Sequence, residues 1–142
     1  MNVAYTLGRI LLPLVFIVSG AQKLMDVSAI AKILQDKQIP VPDEIVPYLG
    51  VIPKFEALGY LIGGIEALAG VMIMVGLKAR WGALTLVVFT ACTIVFFHNF
   101  WDAQGEAFMA SLRAALVQFA IMGGLLLVVA CGSGPAAFDR RS

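Results

Sequence analysis

The chain of 142 residues is 61% hydrophobic and only 13% charged, whereas soluble domains are about 45–50% apolar and about 25% charged. This composition excludes an ordinary soluble domain and predicts an integral membrane protein. The formal net charge of +1 gives no indication of a nucleic-acid partner or an acidic partner.

Four long apolar runs follow one another along the chain. Each is about 20 residues long, the length that an α-helix needs to cross a bilayer core of about 30 Å. We therefore predict an all-α, four-helix transmembrane bundle with a long, partly helical loop between spans one and two. It is expected to form a single integral membrane domain over residues 1–142, with spans at about residues 7–25, 58–77, 81–101 and 110–131.

The first run carries two cations on one helical face. Arg9 and Lys23 belong to a series spaced by three and four residues, which a helix places on one stripe. Ser19-Gly20-Ala21 also resembles a signal-peptide cleavage site, but only Arg9 supplies positive charge before the apolar run. The shared stripe favours a helix of the bundle over a leader that is removed.

Residues 26–57 form a long loop between the first two runs. Asp26 is a suitable N-cap for a short amphipathic helix after it, and so short a helix is typical of the membrane interface. Ile39-Pro40-Val41-Pro42 is predicted to be extended, because proline disfavours the helical conformation of the residue before it. The loop is long and apolar enough to fold back over the bundle as a cap.

The second run has one ionisable side chain near its middle, Glu66. Because a charge at this depth is costly, the carboxylate is expected to be neutral, paired or in a wet cavity. Gly59, Gly63 and Gly70 share a helical stripe with it. Small residues on one stripe allow close helix approach, so Glu66 is predicted to point into the bundle. The same glycine face is a candidate surface for a homo-oligomer.

Four spans place both termini on the same side of the membrane. On that side, Lys78 and Arg80 lie in a short connection, and Arg140 and Arg141 follow the last span. The loop of residues 26–57 on the opposite side mixes lysines with five acidic residues. Since lysine and arginine close to span ends are retained inside, both termini are predicted to be cytoplasmic.

Polar residues gather in the outer half of the predicted bundle. Glu66 lies roughly 12 Å below the outer end of its span, and Lys23 can reach it from the end of the first span. Arg9 approaches the carboxylate from the inner side across a larger gap, or contacts headgroups or a helix end instead. The candidate ligand-binding residues are Arg9, Lys23, Glu66, His98, Trp101 and Gln118.

A structural interpretation of these side chains stays open. Lys23 and Arg113 can extend to headgroups, and His98 can be a hydrogen-bonded anchor at the interface. One histidine without a second ligand does not predict a metal site, and Cys92 and Cys131 are interpreted as packing residues. The sequence contains no nucleophile–base arrangement, phosphate-binding loop or Cys-x-x-Cys pair, so no catalytic residue is predicted.

The order of these features resembles the DoxX family of small four-span membrane proteins. The matching residues cover nearly the whole chain and are Arg9, Ser19-Gly20-x-x-Lys23, Pro40-Val41-Pro42, Glu66, Gly76-Leu77, Arg80, His98-Asn99-Phe100-Trp101-Asp102, Gly123-Gly124 and the ending Asp139-Arg140-Arg141. The sequence departs from the family at Val117-Gln118, where many relatives carry a Lys-Asn pair. Any function of that pair is therefore not carried over.

The resemblance implies a multi-pass protein of the bacterial inner membrane, in contact with the lipid bilayer and, in some relatives, associated with a redox system. We therefore predict a non-catalytic accessory protein or subunit of a membrane redox assembly, with a membrane or soluble redox protein as partner. The alternative is a quinone-linked oxidoreductase subunit, similar to the small subunit of a thiosulfate:quinone oxidoreductase, with quinone as the cofactor.

Two further alternatives follow from the residues themselves. A small proton or solute transporter would use Glu66 as its titrating site. A structural protein would instead use the pairing of Glu66 with Lys23 to fix the register of two helices.

Overall fold

A computed structural model describes residues 2–42, 47, 50–98, 100–134 and 137–139. The described segments contain six α-helices, a short 3-10 helix at Phe100–Asp102 and no strand. The α-helices are α1 (Asn2–Leu11), α2 (Leu14–Met25), α3 (Val27–Asp36), α4 (Lys54–Val75), α5 (Ala79–Phe97) and α6 (Glu106–Cys131). Arg140 and Arg141, on which part of the sidedness prediction rests, and Asn99 of the proposed family motif lie outside the described residues.

Four helical segments are long and apolar enough to cross a membrane, which confirms the predicted all-α transmembrane bundle. They are Val3–Met25, Lys54–Val75, Ala79–Asp102 and Glu106–Cys131. Spans one, two and four begin earlier than predicted, by about one helical turn each. In spans two and four the first turn carries charged residues (Lys54, Glu56 and Glu106), which an apolar run in the sequence does not include although they continue the helix.

The first span is two helices, whereas one continuous helix over residues 7–25 was predicted. The break falls at Leu12 and Pro13. Proline has no N–H to donate, and its ring clashes with the carbonyl four residues earlier. The Pro13 carbonyl accepts from the amides of Phe16 and Ile17 at 3.1 and 3.0 Å, so α2 starts immediately after the break.

The glycine stripe of α4 is buried, and the first span packs directly on it. A Cβ built on Gly20 of α2 would lie 2.7 Å from both the Ala67 nitrogen and the Gly63 oxygen of α4. A Cβ on Gly70 would lie 2.8 Å from Ile17. The prediction that this stripe faces into the bundle is therefore confirmed, and Glu66 lies on it with 3% exposure.

The glycine face, a candidate surface for a homo-oligomer, lies against residues of the same chain. Gly59 lies against Val27 of α3, and Gly63 lies against Leu24 of α2. Residues of the same chain thus already cover this face. The sequence pattern indicated close helix packing correctly, but it does not say whether the partner helix belongs to the same chain.

The loop after the first span folds back as predicted. Asp26 accepts a hydrogen bond from the Ala29 amide at 3.1 Å and so caps α3. α3 packs against α4 and buries Val27 and Leu34, while its other face is exposed. Burying a leucine side chain contributes about 2 kcal/mol, so α3 is held on the bundle by apolar contacts.

The residues after α6 close the opposite end of the bundle. The Phe138 amide donates to the Val75 carbonyl at 3.1 Å, and the Asp139 amide donates to the Gly76 carbonyl at 3.2 Å. These two bonds satisfy carbonyls at the end of α4, where Gly76 has a φ of +74°. The Asp139 carboxylate accepts from the Lys78 amide at 2.9 Å, at the start of α5.

The buried apolar core lies in the half of the bundle near the chain ends, here called the terminal half. Its members come from α2, α4, α5 and α6 and are Phe16, Ala69, Ile73, Ala79, Ala83, Leu86, Leu125 and Val128. The half covered by α3, here called the loop half, holds a cavity instead.

Candidate ligand cavity

A cavity of about 480 Å³ lies in the loop half of the bundle. Its walls are mostly apolar and aromatic, and come from α2, α3, α4, α5, α6 and the non-helical residues Ile39 and Pro40 after α3. The lining residues are Val15, Phe16, Ser19, Lys23, Ile30, Ile33, Leu34, Ile39, Pro40, Leu58, Ile62, Glu66, Phe89, Thr90, Cys92, Thr93, Phe96, Phe97, His98, Gln118 and Ile121. This size and lining are typical of small-molecule sites in proteins.

Lys23 and Glu66 form an ion pair in the cavity wall, as the sequence predicted. The Lys23 ammonium also donates to the Ser19 hydroxyl at 2.5 Å and lies 5.9 Å from the centre of the Phe89 ring. The Glu66 side chain is 5% exposed and that of Lys23 is 22% exposed. Of the three ways to accommodate a carboxylate at this depth, the structure thus has the paired one.

His98 and Gln118 are both half-buried and line the same cavity. His98 directly follows α5, and Gln118 lies in the first half of α6. The antiparallel course of α5 and α6 brings these two polar side chains to one space. The structure thus places four of the six predicted ligand-binding residues together, namely Lys23, Glu66, His98 and Gln118.

Arg9 does not line the cavity, in contrast to the prediction. It is 2% exposed, and its guanidinium donates to the Ile73 carbonyl at 3.3 Å. It therefore lies in the terminal half, at the end of α4, where a cation is favoured by the helix dipole. The predicted helix-end contact is correct, and the predicted approach to Glu66 is wrong because α2 and the Pro13 break place Arg9 too far from the loop half.

Trp101 also lies outside the cavity lining. It is 53% exposed, in the short 3-10 helix, and its ring contacts the Phe100 ring edge-on at 5.2 Å between centroids. An exposed tryptophan at the end of a span is typical of the membrane interface. Trp101 was grouped with His98 because the two are close in sequence, but only His98 faces the cavity.

Two threonines of α5 that the sequence analysis passed over belong to the cavity wall. Thr93 donates to the Phe89 carbonyl at 2.9 Å, the usual partner of a threonine in an apolar helix. Thr90 is 1% exposed, and its hydroxyl has no hydrogen-bond partner in the described part of the chain. Their spacing of three residues places them on one helical face, and this spacing was the sequence feature that could have predicted them as part of the site.

These features define a small multi-pass membrane protein whose helices enclose an apolar cavity around a buried ion pair. The chain belongs to the DoxX family, because the sequence model of that family matches residues 4–99. The matched segment contains Lys23, Glu66 and His98. It ends before α6, so Gln118 lies outside it.

A curated relative supports the same assignment. The chain is 25% identical over 135 residues to the "Inner membrane protein YphA" of Escherichia coli (strain K12), which covers 95% of this chain and 87% of the relative. The four apolar helices and this relative together support a multi-pass protein of the bacterial inner membrane. No solved structure matches the chain significantly.

Proposed function

We propose that this protein is a non-catalytic accessory protein or subunit of a membrane redox assembly, and that its cavity binds a quinone. The observation that carries the proposal is the apolar cavity with hydrogen-bonding groups on several walls. A quinone-linked oxidoreductase subunit is the closely related alternative, in which the same cavity would hold the quinone during electron transfer.

The chemistry of the walls supports a quinone. A quinone head is a flat, uncharged ring with two carbonyl acceptors, and aromatic side chains such as Phe89 and Phe96 can cover its faces. Gln118 and His98 can donate hydrogen bonds to the carbonyls. A few placed polar groups in an apolar site are what orients such a ligand.

The binding claim is tested by ligand-dependent stabilisation of the purified protein. Ligand at a hundred times its dissociation constant stabilises a protein by about 2.7 kcal/mol, so decylubiquinone should raise the thermal midpoint measurably. Quinone should also appear by mass spectrometry among the lipids extracted from the purified protein. Gln118→Leu should weaken the stabilisation, whereas Gln104→Leu, at an exposed loop position, should not.

The quinone claim is wrong if no quinone co-purifies and decylubiquinone leaves the thermal midpoint unchanged. Equal stabilisation of the Gln118→Leu variant and the unaltered protein would remove Gln118 from the site while leaving the cavity as the binding place.

We also propose that both termini are cytoplasmic, which places the cavity in the outer half of the membrane. Lys78 and Arg80, next to the ends of α4 and α5, support this orientation. Fusion of a phosphatase reporter that works only outside the cytoplasm tests it. The reporter should be inactive after residue 142 and active when inserted at residue 104, and the reverse pattern would contradict the orientation.

A further inference from the structure

The cavity lies where α2 and α6 separate. The closely packed pairs among the described helices are α2 with α4, α3 with α4, α4 with α5, and α5 with α6, and the pair of α2 and α6 is not among them. α6 meets the first span near the Pro13 break, where a Cβ on Gly124 would lie 3.1 Å from Leu12. Towards the loop half, both helices contribute residues to the cavity lining.

Apart from Lys23, which is paired with Glu66, the cavity-lining residues of α2 and α6 are uncharged. Val15 and Ser19 line the cavity from α2, and Gln118 and Ile121 line it from α6. Val15 lines the cavity and is 48% exposed, within a segment long and apolar enough to cross a membrane. The cavity wall at this gap is therefore continuous with the lipid-facing surface.

The cavity favours an uncharged ligand. Its lining contains two charged side chains, Lys23 and Glu66, and they are paired with each other. A ligand with a net charge would have to break that pair or leave its own charge without a partner in an apolar site, and both are costly.

Thr90 is a cavity-lining residue whose hydroxyl lacks a hydrogen-bond partner in the described chain. The buried hydroxyl has no acceptor or donor within the described chain, unlike that of Thr93 in the next turn. A buried hydroxyl without a partner costs free energy, which a ligand carbonyl or hydroxyl at this point would recover.

We infer that the cavity takes an uncharged, lipid-soluble ligand from the bilayer through the gap between α2 and α6, with its polar head hydrogen-bonded to Thr90 and its apolar tail in the gap. This inference rests on the proposed quinone function and adds to it the route of entry, the place of the tail and the contact at Thr90.

Two quinones with the same head and different tails test the inference. Decylubiquinone carries a ten-carbon tail, and ubiquinone-0 carries none. The dissociation constant of each is measured in nanodiscs for the unaltered protein and the variants. Comparing variants with one ligand at a time cancels the different partitioning of the two ligands into lipid.

Two substitutions test the contact of the ligand head and the place of its tail separately. Thr90→Val removes the hydroxyl at nearly constant volume and should weaken both quinones by about tenfold. Thr85→Val, at an exposed position of α5, is its control.

Ile121→Trp fills the gap and should weaken the binding of decylubiquinone by about tenfold or more while changing the binding of ubiquinone-0 little. Leu127→Trp, 65% exposed on α6, is its control.

The outcomes distinguish the inference from the function on which it rests. If the unaltered protein binds neither quinone, both the proposed function and the inference are wrong. If it binds them but Ile121→Trp weakens both equally or neither, the lateral entry is wrong and the quinone site stands. Unchanged binding by Thr90→Val overturns the contact at Thr90. Should Ile121→Trp not fold, Val15→Trp fills the gap from the α2 side.

Discussion

At the scale of single residues, the ion pair of Lys23 and Glu66 is the most consequential interaction in the bundle. It joins α2 to α4 across the cavity wall, with the carboxylate 5% exposed. The attraction between two charges is strong in such a medium, but most of it offsets the cost of removing them from water. The pair therefore contributes little net stability compared with apolar residues of the same size, and the loss of one partner is costly.

Lys23→Met should lower the free energy of unfolding by about 3 kcal/mol, because the Glu66 carboxylate is left buried without a partner. The double variant Lys23→Met/Glu66→Met should regain most of that loss. Chemical unfolding in detergent micelles measures both. Lys32→Met, exposed on α3, is the matched control and should be close to neutral. Additive losses in the double variant would show that the two charges do not act as a pair.

At the scale of elements, the contact between α2 and α4 depends on missing side chains. Gly20 of α2 lies so close to α4 that a Cβ there would meet backbone atoms, which cannot move aside as a flexible side chain can. Helices in a bilayer gain no hydrophobic driving force from associating, so close packing of this kind holds them together. The same approach brings Lys23, one turn after Gly20, into reach of Glu66.

Gly20→Ala should separate α2 from α4 and lower the free energy of unfolding by about 1–3 kcal/mol. Gly64→Ala is the matched control in α4, since a Cβ there would meet nothing within 4 Å. The control should raise the free energy of unfolding by no more than about 1 kcal/mol, because alanine has a greater helix propensity than glycine. Thermal unfolding in detergent compares the two, and equal effects would contradict the close-packing account.

At the scale of the whole molecule, the two halves of the bundle differ in what fills them. The terminal half holds the apolar core and is closed by Phe138 and Asp139, whose amides donate to the carbonyls of Val75 and Gly76. The Tyr5 hydroxyl donates to the Gly132 carbonyl and so joins the first helix to the end of the last. The loop half holds the cavity. The terminal half is thus held by apolar packing and hydrogen bonds, whereas the loop half encloses open space.

Asp139→Ala should lower the free energy of unfolding by about 1 kcal/mol, because the Lys78 amide at the start of α5 loses its acceptor. Asp139→Asn keeps an oxygen at the same place and should retain most of the stability. Thermal unfolding of both variants checks this. A loss as large in Asp139→Asn as in Asp139→Ala would indicate that the charge, and not the hydrogen bond, holds the tail.

The features that the sequence determines are those that depend on local patterns. The length of each apolar run determines the four spans, since a helix must cross about 30 Å of hydrocarbon. The spacing of Gly59, Gly63 and Gly70 determines which face of α4 is buried, because one helix has one periodicity. The side chain of Asp26 determines where α3 begins. The depth of Glu66 and the reach of Lys23 favour their pairing, although a neutral carboxyl or a wet cavity would also satisfy the cost of burial.

The tertiary structure alone decides which helices are neighbours and at what depth their residues meet. The glycine face packs against the first span of the same chain, Arg9 contacts the end of α4, and the Thr90 hydroxyl is buried without a partner in the described chain. The tertiary structure alone also decides that α2 and α6 are not among the closely packed pairs of described helices. Helix periodicity gives a direction around one axis, but these contacts depend on the placement of several axes, which is set by the close packing of the whole bundle.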